Sequence, residues 1–173
     1  MSTLKWKLFG IAIAFPVTVG AAGPNLGQPL SHADLAAWDI NVLPDGSGLP
    51  KGSGTAAQGA PIYAQKCAAC HGEQGKGGIS AALVGAPPMK DMSSPKTIAN
   101  FWPYSTTLFD FIRRAMPFPQ PRSLSDDEVY ALTAYILAQN KLIGEKDEMN
   151  AQTLPKVKMP NRDGFIPRFP ERM

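Results

Sequence analysis

Apolar positions recur with a helical period in three stretches of this chain and lose any period between them. From Thr55, a candidate N-cap, Gly59, Ile62, Tyr63, Cys67 and Cys70 fall at helical spacing. A second helix is predicted over about Ser105 to Ala115, with Leu108, Phe109 and Ile112 on one face. Pro117 ends it, and Pro119 and Pro121 prevent a restart. The third is the best defined. Ser125 and Glu128 form an S-x-x-E capping box, Val129, Leu132, Ile136 and Leu137 make the apolar stripe, and the helix stops near Asn140. Residues 72–102 between the first two helices hold Gly, Pro and polar residues without a sustained period. A loop of that length inside a domain calls for something to fill it.

Outside these stretches the pattern thins. Residues 23–57 carry turn and linker chemistry, Pro44-Asp45-Gly46-Ser47-Gly48 and Lys51-Gly52-Ser53-Gly54, with Trp38 and Ile40 as isolated apolar points. Two expectations compete for this arm: it crosses the domain surface with Trp38 in a groove, or it is a disordered linker. From Gly144 onward the chain is polar with scattered prolines, and a wrapped or mobile tail is expected. The first residues are different again. Lys5 and Lys7 precede a short apolar run, Leu8 to Val19, and Gly20-Ala21-Ala22 offers small residues for cleavage. This is the pattern of an export signal, with an uncleaved anchor as the alternative. The expected organisation is a signal peptide over 1–22, an extended N-terminal arm over 23–54, a helical domain over 55–143 and a C-terminal tail over 144–173.

Composition changes this picture little. Pro and Gly are frequent, at 17 and 16 of 173 residues, which fits many loops and few long elements. The formal charge is +3, and setting aside Lys5 and Lys7 leaves 15 basic against 14 acidic side chains. No basic stripe marks a nucleic-acid partner.

The two cysteines lie together in Cys67-Ala68-Ala69-Cys70-His71, the C-x-x-C-H attachment signature of c-type haem. Thiols three positions apart share one side of a helical turn, within reach of the two vinyl groups of one porphyrin. His71 then follows as proximal iron ligand. Zinc would want four ligands, and only two Cys and two His are present, with His32 far off in the arm. A thioredoxin-like redox pair would follow a strand, and none is predicted here. A structural disulfide would close a very small loop. Haem also accounts for the aperiodic stretch at 72–102. For the sixth ligand Met116 is favoured, because it ends a helix and precedes Pro117. Met89 and Met92 in the long loop and Met159 before Pro160 remain alternatives, and His32 is a remote one. The carbonyl that orients His71 is expected from Leu83 to Pro88. Arg113, Arg114, Trp102 and Tyr104 are candidate propionate partners, and Phe101, Trp102, Phe109 and Phe111 pocket or core packing.

The run Gly59-x-x-x-Tyr63-x-x-x-Cys67-x-x-Cys70-His71, with Met116-Pro117 downstream, resembles a class I cytochrome c. That resemblance implies an all-α fold, a few helices around one covalent haem, with extended N- and C-terminal arms. It also implies that the first and last helices cross closely, with Gly59 permitting the approach and Tyr135 as aromatic partner. Further strings are similar to cytochrome subunits of sulfur-compound dehydrogenases: Trp38-Asp39-Ile40, Leu43 to Pro50, Asn100-Phe101-Trp102-Pro103-Tyr104, Arg113 to Phe118, and Met159 to Phe165. The likeness runs over about residues 38–165. Such cytochromes partner a molybdenum sulfite or sulfane dehydrogenase of the thiosulfate-oxidising Sox type. Some sulfane dehydrogenase cytochromes carry two haem domains. One C-x-x-C-H here implies a single-haem version, or the cytochrome of a sulfite dehydrogenase.

The resemblance implies a periplasmic one-electron carrier, not an enzyme by itself. It would accept electrons from the molybdenum subunit and pass them to another cytochrome or an oxidase, with no membrane span after signal cleavage. Two other classes stay open. A haem enzyme or gas sensor would need an open sixth position, and a structural subunit would chiefly stabilise its partner.

Overall fold

The computed structural model describes residues 26–166; the expected signal peptide, 1–22, and the end of the tail, 167–173, lie outside them. The element order is α1 (His32–Trp38), β1 (Ser53–Thr55), α2 (Ala56–Lys66), α3 (Ala68–His71), α4 (Ile98–Phe101), α5 (Ser105–Ala115), α6 (Asp126–Gln139) and β2 (Glu148–Asn150), with 3-10 turns at Glu73–Gly75 and Leu154–Lys156. The chain divides into one unit up to Ala37 and a second from Trp38 onward. α1 was not foreseen in the arm. Its start is fixed by Ser31 and Asp34, whose side chains bond each other at 2.6 Å. Trp38 is 81% exposed, so the expectation that a groove buries it does not hold.

Local chemistry sets the three long helices where the pattern puts them. Thr55 caps α2 in a reciprocal box with Gln58, and Ser125 caps α6 in the same way with Glu128. α5 ends at Met116, whose N–H still reaches Ile112 O at 3.1 Å before Pro117 stops the helix.

α2 and α6 cross at the smallest residues available. A Cβ on Gly59 would collide with the Ala131 carbonyl oxygen, and one on Gly54 would collide with Ala131 N. Backbones this close leave room for no side chain at either position. Beside the crossing the Tyr63 and Tyr135 rings meet at 4.9 Å, as the resemblance implies. Val129, Tyr130, Leu132 and Leu137 of α6 share one buried cluster with Leu108 and Phe109 of α5, and the Phe109 and Tyr130 rings lie 4.5 Å apart.

The segments expected to be irregular do structural work. β1 pairs antiparallel with β2 in the register Ser53 to Asn150, Gly54 to Met149 and Thr55 to Glu148. A short strand therefore does precede α2, contrary to the sequence reading. The tail supplies Met149, Leu154 and Met159 to the core, with Leu154 and Met159 fully covered. Leu154 is held by its carbonyl, which accepts the buried Ser105 hydroxyl at 2.6 Å. The N-terminal segment is tied to α6 as well: Asp127 accepts from Ser53 N at 2.8 Å, and the Tyr130 hydroxyl donates to Pro50 O at 2.9 Å.

Candidate functional site

α2 ends at Lys66, and the chain turns through Cys67 into the single turn α3, so Cys67, Cys70 and His71 sit where two short helices join. Both cysteines are free thiols, each partly exposed. Burial pushes the Cys67 thiol up to about 11. Gly72 then takes φ 75°, and a Cβ there would strike the Gly77 carbonyl oxygen, so the sharp exit after His71 needs glycine. The Tyr63 hydroxyl donates to Gly72 O at 3.0 Å and locks this corner to α2. Burial raises that phenol to about 12.

The imidazole of His71 is oriented by its own loop. Nδ1 lies 2.9 Å from Ala81 O. A carbonyl only accepts, so Nδ1 carries the proton and Nε2 keeps a lone pair for a metal. The expected carbonyl lay between Leu83 and Pro88; Ala81, two residues earlier, supplies it instead. The reason is that Ser80 N donates back to Cys70 O at 2.9 Å, which folds the loop over the histidine sooner than the sequence shows.

Of the methionines, Met116 is half-buried at the C-cap of α5 and packs against the core. Met159 is fully buried core and Met149 nearly so, whereas Met92 is 71% exposed. Met89 is half-buried and His32 is exposed on α1. Arg113 and Arg114, the candidate propionate partners, each hold a carboxylate through Nε. Arg113 Nε bonds Asp126 at 3.0 Å, and Arg114 Nε bonds Asp110 at 2.8 Å while its Nη2 reaches Asn41 at 2.9 Å. Tyr104 is covered by the Arg162 guanidinium at 4.1 Å. Trp102 is half-buried, edge-on to Phe111 at 5.5 Å; Phe111 itself is 45% exposed, while Phe109 is core.

These residues fit a covalent haem. Two unpaired thiols share one turn, an imidazole offers a lone pair with its other nitrogen held, and Leu83, Trp102 and Met116 are incompletely covered apolar side chains. They do not fit a closed zinc site, since among the described residues no three His, Cys, Asp or Glu side chains gather.

Two asparagines to which the sequence reading gave no such role hold the long loop in place. Asn100 Nδ2 donates to Pro87 O and Pro95 O, each at 2.8 Å, while its Oδ1 accepts from Thr97 N at 2.7 Å. Asn140 Nδ2 donates to Leu83 O at 3.1 Å and Oδ1 accepts from Gly85 N at 3.0 Å. The only signal in the sequence was position: one Asn three residues after a Thr, the other at a helix end.

Residues 54–136 match the family described as cytochrome c oxidase, cbb3-type, subunit III. Over 87 residues, 50% of the chain, the sequence is 33% identical to a thiosulfate dehydrogenase of Stutzerimonas stutzeri (strain A1501). The chain spans 28% of that relative's length. Among solved structures it is similar to the sulfane dehydrogenase SoxCD from Paracoccus pantotrophus, with TM-score 0.77 and 37% identity, covering 86% of this chain and 74% of that one.

Proposed function

This chain belongs to the class I c-type cytochromes, and from that premise we propose that it is a single-haem electron carrier in an exported sulfur-compound dehydrogenase system. The observation that carries the reading is the corner at Cys67, Cys70 and His71, where free thiols and an oriented imidazole occur together. When bound there, a haem supplies a one-electron redox centre. Cys67 and Cys70 would hold it by thioether bonds, and His71 Nε2 would ligate the iron. Met116 would give a soft neutral sulfur as the further ligand, favouring the reduced iron and keeping small ligands out.

The partner is a molybdenum-containing sulfite or sulfane dehydrogenase subunit. Oxidation of its sulfur substrate releases two electrons, and this chain takes them singly and hands them to a downstream cytochrome or oxidase. The similarity to a sulfane dehydrogenase and to a thiosulfate dehydrogenase supports this class of partner. The docking contact is small and transient, as redox encounters are. Lys5, Lys7 and the apolar run after them support export to the periplasm. No described helix is long and apolar enough to cross a membrane. The chain then serves as a subunit that relays electrons, with substrate turnover belonging to its partner.

Absorption spectra of the exported protein, oxidised and reduced, with and without carbon monoxide, test this reading. One haem per chain that survives denaturation is expected, with no carbon monoxide adduct. Met116→Ala should lose the weak red charge-transfer band of the ferric protein and gain carbon monoxide binding. Ready carbon monoxide binding by the unaltered protein would replace the carrier reading with catalysis or gas sensing.

A further inference from the structure

The carbonyl that orients His71 belongs to Ala81, and Ala81 lies in a segment with two anchors. On one side Ser80 N donates to Cys70 O at 2.9 Å, so the segment is stitched to the C-x-x-C-H turn itself. On the other side Leu83 N and Val84 N both donate to Gly75 O, at 2.8 and 3.0 Å. The Glu73–Gly75 turn packs against α6, and Asn140 hydrogen-bonds the segment to that same helix. From the C-cap of α6 its amide donates to Leu83 O and to Ile136 O, at 3.1 and 2.9 Å, and its Oδ1 accepts from Gly85 N at 3.0 Å. The side chain thus brackets Val84 from both flanks and holds it against the last turn of α6. Gly85 takes φ 87°, and its carbonyl accepts from the Thr97 hydroxyl, so Asn140 and Thr97 hold the N–H and the C=O of one residue.

We propose that Asn140 is a positioning residue for the iron ligand, setting the Ala81 carbonyl on His71 Nδ1–H through residues 83–85. The proposal rests on the reading of His71 as proximal ligand. A carbonyl that accepts from Nδ1–H makes the imidazole a stronger donor and stabilises the oxidised iron. A loosened carbonyl weakens that donation and favours reduction. The cap of α6 therefore contributes to redox tuning from a side chain bonded to Leu83, Gly85 and Ile136 and not to His71.

The test is the midpoint potential and the His71 ring N–H proton resonance of the reduced protein, in Asn140→Ala and Asn140→Ser. Ser keeps one uncharged hydroxyl but loses the amide's reach to both Leu83 and Gly85, so it is the milder variant if Ala impairs folding. Both should shift the reduced/oxidised ratio at fixed potential about threefold or more towards the reduced form, roughly 30 mV at 59 mV per decade. The ring N–H resonance should move and exchange faster with solvent. Ser125→Ala, which weakens α6 at its other end, should lower stability with neither readout changed. An Asn140 pair that matches Ser125→Ala, losing stability while midpoint and resonance stay put, would overturn the inference. His71→Ala separates the two levels: unchanged haem spectra there would sink the ligand reading itself, whereas changed spectra with a silent Asn140 pair would sink only this proposal.

Discussion

Single side chains here are specialised by what their second polar atom does. His71 spends Nδ1 on Ala81, which leaves Nε2 for metal. Glu128 uses its carboxylate twice, closing the capping box with Ser125 N at 2.8 Å and pairing with Lys66 Nζ at 2.7 Å. Lys66 directly precedes Cys67, so this pair links the start of α6 to the residue that opens the attachment motif. The Lys66 ammonium first, and the Ser125 backbone N–H next, hold the Glu128 carboxyl below its ordinary 4.5. A carboxyl depressed in the folded state stabilises it above the unfolded value, and that contribution fades as pH falls through the folded one. Glu128→Gln should therefore be less stable than the native chain at neutral pH and converge with it below pH 4.5. Denaturant unfolding across a pH series measures the gap, and a gap that stays constant into acid would show that the charge contributes nothing.

At the α2–α6 crossing the elements meet by close backbone approach. Gly54 and Gly59 face the same residue, Ala131, from β1 and α2. α2 leads straight into Cys67, so the angle of this crossing decides where the thiols and His71 are presented. Gly59→Ala would force the helices apart, since the added methyl meets a carbonyl oxygen, which is backbone and cannot swing away. Overpacking of this kind costs about 1–3 kcal/mol. Equilibrium unfolding should show that loss. Haem content per chain should fall as well, because a displaced α2 misplaces the attachment corner. A stability loss with full haem content would locate the effect in packing alone.

Across the whole molecule the wrapped ends close the core. β2 returns to pair with β1, and residues after it lay Leu154 beneath Ser105 of α5 and Met159 into the main cluster. Asn161 continues the wrap by donating to Phe101 O at 2.6 Å, and the Phe101 and Phe165 rings meet edge-on at 5.4 Å. The tail thereby supports α4 and α5, the elements on either side of Trp102. Leu154→Ala should destabilise the fold by roughly 2–5 kcal/mol, the range for a fully buried leucine truncated to alanine. Calorimetry or denaturant unfolding of the haem-loaded protein reads this directly. A loss under 1 kcal/mol, about that of an exposed site, would mean that the tail is not part of the cooperative core.

The sequence alone determined whatever depends on neighbours along the chain. The N-cap at Thr55, the capping box at Ser125, the proline stop after Met116 and the helical stripes of α5 and α6 are local, so their signals are written within a few residues. The cluster of Cys67, Cys70 and His71 was legible for the same reason: all three side chains come from one turn. Tertiary structure decided what depends on distance. The tail after Gly144 looked like a polar extension because its buried Met149, Leu154 and Met159 stand singly, without a period, and only contact with α5 and β1 makes them core. Arg113 gave no sign in the sequence of its partner Asp126, which lies on the next helix. Ala81 and Asn140 could not be found by any pattern, because a backbone carbonyl has no letter in the sequence. The task of an asparagine is likewise set by whichever amides the folded chain brings within about 3 Å of it.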